Sequence, residues 1–213
     1  MTSNTRFGGA QMRKRTLLGL AMLVAVSACG SRVLRPGEER VVDTSGRKRG
    51  WVTAETPSIH DDDTWFFRGQ ATGVADLTLG LRQAEADAKK RIVSRIAESV
   101  ATEYSEYALG ANASEGDKSV FVSDGISWAT EALTVSGVAP AKTYWEKVET
   151  GRPYGATTSF NTYVLVGLPD ADYEMARLRA ARAIEARARA AADRRAEEAA
   201  RQLRRRLEAT PVE

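Results

Sequence analysis

A chain of 213 residues with 31 basic and 28 acidic side chains, one cysteine and one histidine is long enough for one domain with extensions. The lone cysteine excludes an intramolecular disulfide, and any Ser-His-Asp or Cys-His arrangement would have to use the lone histidine, His60. The basic excess lies in residues 1–28, which hold Arg6, Arg13, Lys14 and Arg15 and no acid; the remainder carries 27 basic against 28 acidic residues, a net of −1, which argues against nucleic acid as a partner.

The first element is a secretory signal layout: a basic stretch, then an apolar run from Leu17 to Val26 that ends in small residues. That run is 10 residues long, whereas a helix needs about 20 to cross a bilayer core, so a permanent transmembrane helix is not expected. Val26-Ser27-Ala28-Cys29 resembles the lipobox of bacterial lipoproteins. The resemblance implies cleavage between Ala28 and Cys29, diacylglyceryl attachment to the Cys29 sulfur and acylation of the new amino terminus. The chemistry needs cysteine because a thiolate is a far better nucleophile than a hydroxyl. Three acyl chains would hold the protein at a membrane firmly, where a single chain holds only marginally. Gly30, rather than aspartate, follows the cysteine, which in the lipoprotein sorting rule favours the outer membrane. Val26-x-Ala28 also satisfies an ordinary signal peptidase site, which would release a protein with a free thiol.

Composition divides the rest into three parts. Residues 29–64 are polar and turn-rich and read as a lipidated N-terminus with a flexible linker. Residues 65–170 hold nearly all the aromatic and β-branched residues and so must contain the core. Residues 171–213 are dominated by alanine, arginine and glutamate.

Within the core segment, Trp65 to Gly73 has a strand's composition, with Gly69 marking a bulge or a close backbone approach. Leu81, Ala84, Ala88, Ile92, Ile96, Val100 and Tyr104 then recur at three- and four-residue steps, predicting a long amphipathic helix. Residues 110–117 read as a loop, and residues 119–136 as a second helix across Gly125. Ala141 to Glu149 and Thr158 to Leu168 read as a hairpin whose turn occupies residues 150–157. In its second strand, Phe160, Val164 and Val166 alternate with Tyr163 and Leu165, so both faces should be largely covered. The expected fold is α+β, a small antiparallel sheet packed against two amphipathic helices and followed by a long C-terminal helix.

That last helix starts where Pro169 stops the strand, with Asp170 as a possible cap and Asp172 and Glu174 in the first turn. Strong helix formers and i,i+4 pairs such as Glu185 with Arg189 and Glu197 with Arg201 would let residues 171–208 run on as one rod of roughly 57 Å, its far end in water. The rod reads either as a docking element with Leu203, Arg204, Arg205, Arg206 and Leu207 as its contact tip, or as a solvated helix of charged residues. A strong coiled coil is not expected, because alanine buries little area.

Trp51-Val52, Pro57, Trp65-Phe66-Phe67-x-Gly69-x-Ala71-x-Gly73, Thr143-Tyr144-Trp145-Glu146 and Tyr163-Val164-Leu165-Val166 resemble the LPP-twenty type of small bacterial lipoprotein, over about residues 51–175. The same domain occurs in lipoproteins that assist flagellar assembly at the outer membrane. The family has no agreed catalytic residues, and the arginine-rich tail departs from its pattern.

No active-site pattern stands out. His60 lies in a polar stretch, and three consecutive aspartates, Asp61 to Asp63, point in different directions and lack the periodic loop of a calcium site, so they read as a solvated acidic loop. Trp65, Phe66, Phe67, Trp128, Tyr144 and Trp145 could line a ligand groove, although such residues are more often core. Glu146, set among aromatics, is the carboxylate to examine for burial. The spacing of zinc ligands and phosphate-cradling glycine loops is missing, and no cofactor is implied. The expected function is that of a noncatalytic interaction or assembly protein, anchored in the outer membrane through acyl chains and facing a periplasmic protein partner, with self-association open. The alternative is a binding module for an envelope ligand such as peptidoglycan or lipid.

Overall fold

In β3 (Thr64–Val74) the residues Trp65, Phe67, Gly69 and Ala71 share one face, as the two-residue period of a strand requires. The element that follows, α2 (Leu77–Leu109), turns Ala84, Ala88, Ile92, Ile96, Val100 and Tyr104 inward, and all six are fully buried. The two elements touch most closely at Gly69, where a Cβ atom would stand 1.9 Å from the Ala84 carbonyl oxygen and 2.4 Å from the Ala88 nitrogen. Gly69 thus marks close approach, one of the two readings its position suggested.

The computed structural model describes residues 33–109, 122–127, 129–130 and 138–209, all of which belong to one compact unit. The signal segment, the 110–117 loop and parts of the 119–136 helix lie outside the described residues. Of that helix, residues 122–127 and 129–130 are helical and form α3.

Five antiparallel strands make one sheet in the order β1-β4-β5-β3-β2, where β1 is Glu39–Thr44, β2 Ser58–Asp61, β4 Ala139–Arg152 and β5 Gly155–Pro169. The long β4–β5 hairpin stays paired down to Arg152 opposite Gly155, so its turn is the Pro153-Tyr154 pair rather than the whole of residues 150–157. Central β5 buries Thr162, Val164, Val166 and Leu168, and Leu165 from its opposite face, as a strand covered on both sides should.

The flexible linker expected over residues 29–64 is not what its described part forms. Residues 39–44 pair with β4 from Glu39 opposite Thr150 to Thr44 opposite Glu146, and Ser58 to Asp61 pair with β3. Between them the short helix α1 (Gly50–Thr53) lies on the face of the sheet away from α2 and buries Val52. Arg68, which projects from β3 on that face, donates from Nη1 to the carbonyl oxygens of Trp51, Val52 and Ala54 at 3.1, 2.8 and 2.7 Å. These are carbonyls that a helix end leaves without intrahelical partners. The segment reads polar because both of its strands are edge strands, half open to water. Such edges are guarded, β2 by its shortness and β1 by an irregularity between Val41 and Asp43.

The single C-terminal rod is also corrected. The chain reverses after α4 (Asp170–Ala190), and α5 (Arg194–Ala209) returns along it. The turn is a Schellman motif: the Asp193 amide donates to the Ala188 carbonyl at 3.2 Å, the Ala192 amide to Arg189 at 3.1 Å, and Ala192 sits at φ +57°. Asp193 then caps α5, its Oδ1 accepting from the Ala196 amide at 3.0 Å. Ala180, Ala181, Ile184 and Ala188 face Ala196, Ala199, Ala200 and Leu203, and all eight are buried. Small side chains let the two axes approach closely enough to exclude water. At the start of α4 the N-cap is Pro169, which has no polar side chain to cap with, and the Asp170 carboxylate expected there pairs with His60.

Candidate functional site

Among the described residues three clusters bring together side chains capable of binding or acid–base chemistry, and a fourth set, expected to converge, does not. The first joins β2 to α4. His60 Nε2 lies 2.9 and 3.0 Å from the two carboxylate oxygens of Asp170, and its ring packs on Trp65 at 4.7 Å. Trp65 in turn stacks on Tyr173 at 5.3 Å and carries the Arg95 guanidinium 6.0 Å above its ring. With Asp170 on Nε2 and Trp65 on the ring face, His60 fastens the edge strand to the first turn of α4. The expected loop of acids is the end of β2 with its turn into β3, Asp62 at φ +50°.

The second cluster lies on the sheet face opposite α2. Glu146 is buried, 8% exposed; Tyr144 donates its hydroxyl to Oε1 at 3.0 Å and Lys48 approaches to 3.0 Å. Lys48 also stands 5.9 Å over the Tyr163 ring. Burial, and then the bond to Glu146, push the Tyr144 hydroxyl up to about 12. This carboxylate was found from its aromatic neighbours in sequence. Its partners tie the loop after β1 onto the sheet.

The third is a cleft of about 600 Å³ between edge strand β2 and the middle of α2. Phe67 forms its floor, Thr56 and Pro57 one wall, and Lys90, Arg95 and Glu98 the helical wall. Asp87, at one end, is already held by Arg91 Nε at 2.9 Å and by the Gln70 amide at 3.0 Å. The cleft joins an apolar floor to charged rims, the combination that lets a concave surface hold a chain or headgroup and fix its orientation.

The fourth is the set of tail residues expected at a contact tip, and the structure disperses them. Leu203 is 0% exposed and inside the core, and Leu207 packs half-buried against it. Arg204 donates to Glu185 at 2.7 Å and to Glu208 at 2.8 Å. Arg206 lies 3.4 Å from the Tyr107 hydroxyl and 3.9 Å from Glu103, leaving Arg205 exposed. The reason is the reversal at residues 191–193, which turns the Leu203 side of α5 onto α4 and α2. The pairs Glu185–Arg189 and Glu197–Arg201 both form, each at 2.8 Å. Hydrogen bonds from Arg189, together with those from Arg201, hold the Glu197 carboxyl below its ordinary range.

Sequence reasoning missed Arg68 and the burial of Glu185. An arginine inside a strand gives no sign that it faces a helix end. Glu185 had a signal: it interrupts the alanine stripe at Ala181 and Ala188, four residues before and three after, and so had to be buried with partners. The aromatics divide into core (Phe67, Tyr144) and half-buried positions (Trp65, Phe66, Trp145); Trp128 lies outside the described residues.

Ala28 and Cys29 also lie outside the described residues, five and four positions before Val33. Among the described residues no group of His, Cys, Asp or Glu is arranged to hold a metal ion, and no helix is long and apolar enough to cross a membrane. No family model, curated protein or solved structure matches this chain.

Proposed function

We propose that this chain is a lipid-anchored, noncatalytic interaction or assembly protein on the periplasmic face of the bacterial outer membrane, of the kind that supports an envelope or flagellar structure. The observation that carries the reading is the sequence Val26-Ser27-Ala28-Cys29, its cysteine four residues ahead of Val33, the first of the described residues. A soluble α+β body joined to a bilayer by acyl chains acts through its surface. His60 and Glu146, the side chains best suited to acid–base work, are engaged in holding strands and loops together, which favours binding over catalysis. The likeness of residues 51–175 to LPP-twenty lipoproteins points the same way.

Cys29→Ala tests the anchor: it should move the protein from the detergent-extracted membrane fraction to the soluble periplasm and abolish fatty-acid labelling. An unmodified thiol on the wild-type mature protein would overturn the reading. The β2–α2 cleft favours a second reading, a binding module for an envelope ligand such as peptidoglycan or lipid. Photo-crosslinking from Ser94 in cells separates the two: a crosslinked protein supports the assembly role, and co-sedimentation with purified sacculi supports the ligand module.

A further inference from the structure

The segment that leads out of the tether is fastened to the tip of the β4–β5 hairpin. The Gly37 amide donates to the Gly151 carbonyl at 3.0 Å, and the Gly151 amide to the Glu38 carbonyl at 2.9 Å. A Cβ at Gly151 would lie 2.1 Å from the Arg35 carbonyl oxygen and 2.9 Å from the Leu34 Cβ, so the absence of a side chain is what lets the chain cross there. Leu34 is buried at this crossing, while its neighbour Val33 is 88% exposed. Two residues beyond Arg152, Tyr154 stands wholly in solvent, the most exposed large hydrophobic side chain among the described residues.

Covalent geometry limits where this end of the body can be. Cys29 to Val33 is four residues, which span at most about 14 Å when fully extended. The polar layer on each side of a bilayer core is itself about 5–8 Å deep. With Cys29 acylated, the crossing at Gly151 cannot leave the neighbourhood of the headgroups, and Tyr154 hangs from the same crossing. A tyrosine ring is apolar in body and polar at its tip, the chemistry enriched in the interfacial layer of membranes. Arg35 and Arg152 are exposed at the same end and suit lipid phosphates, with Glu38 turned back so that its carboxylate accepts from the Arg35 amide at 3.0 Å.

We propose that the β4–β5 hairpin tip, with Tyr154 and Val33 as its apolar contacts and Arg35 and Arg152 as its phosphate contacts, rests in the headgroup layer of the membrane that holds Cys29. The inference builds on the anchoring reading and adds an orientation to it: the hairpin faces the bilayer, and the helical end, where the Arg195 Nε donates to the Ala108 carbonyl at 2.6 Å, faces away.

The test uses the full-length protein extracted from membranes and reconstituted into vesicles of phosphatidylethanolamine and phosphatidylglycerol. An environment-sensitive fluorophore is placed at Ala156→Cys, beside the tip, or at Asp63→Cys, about 45 Å away along β5. Mass spectrometry of Cys29 is read on the same samples. The expected result is a blue-shifted label at position 156, quenched several-fold more by a headgroup-quenching lipid than the label at 63, with most of that difference lost in Tyr154→Ser. Triacylated Cys29 with equal quenching at both sites would overturn the orientation and leave the anchor standing. An unmodified Cys29 would overturn both.

Discussion

A methyl group at position 69 would stand 1.9 Å from a backbone carbonyl oxygen that cannot move without α2 moving with it. Gly69→Ala should therefore cost about 3 kcal/mol or more, at the severe end for overpacking. Urea unfolding measures it, and an unchanged midpoint would refute the contact. A second expectation concerns alkaline pH. Burial first, then the Asp193 and Asp124 carboxylates, push the Tyr104 hydroxyl up to about 12, against an ordinary value near 10. The folded state then holds this proton more tightly than the unfolded chain. Stability is at its full value below pH ~10 and falls between ~10 and ~12, by up to about 1.4 kcal/mol per pH unit. Tyr104→Phe should flatten the dependence of the thermal midpoint over that range, and parallel curves for the two proteins would contradict the assignment. Both residues were marked in the sequence, Gly69 as a break in an apolar strand and Tyr104 as the end of a helical stripe. Arg68 was not, because its role depends on a helix end that arrives from elsewhere in the chain.

Elements were legible where one face meets the core and the other meets water. The stripe of α2 and the alternation of β5 are read directly from spacing, since each has a period that its environment enforces. The edge strands β1 and β2 show no such contrast, and their polar residues read as linker. The reversal between α4 and α5 was hidden for a different reason: the left-handed position of the turn is filled by Ala192 rather than glycine, so the usual stop signal is missing. An alanine held there bears a cost of about 1–2 kcal/mol that glycine does not. Ala192→Gly should accordingly raise stability by about 1 kcal/mol without altering the fold. At the other end of the same hairpin, Leu203→Ala should cost about 2–5 kcal/mol, while Arg205→Ala should fall within about 0.5 kcal/mol of wild type. Chemical denaturation of the three variants checks both statements, and a neutral Leu203→Ala would restore the extended rod.

At the scale of the molecule, α2 is the member that the two halves share. Its 33 residues extend about 50 Å, from Gly80 beside Thr162 on the sheet to Ala108 beside Arg195 at the start of α5. The buried cluster is continuous along it, from Phe67, Val164 and Val166 through Ile96 and Val100 to Ile184 and Leu203. Ion pairs reinforce the helical end, where Arg177 of α4 reaches Glu103 on α2 as well as Glu174 in its own helix. A core without an internal boundary should unfold as one unit. Deleting residues 194–213 removes Ala196, Ala199, Ala200 and Leu203 from that cluster, and the loss should reach the strands of the sheet through α2. The truncated protein should unfold in one transition at a lower midpoint, with far-ultraviolet dichroism and tryptophan fluorescence, to which Trp51, Trp65 and Trp145 of the sheet half contribute, moving together. If the fluorescence kept the wild-type midpoint while only the helical signal weakened, the two halves would be independent and α2 would be a connector rather than a shared core.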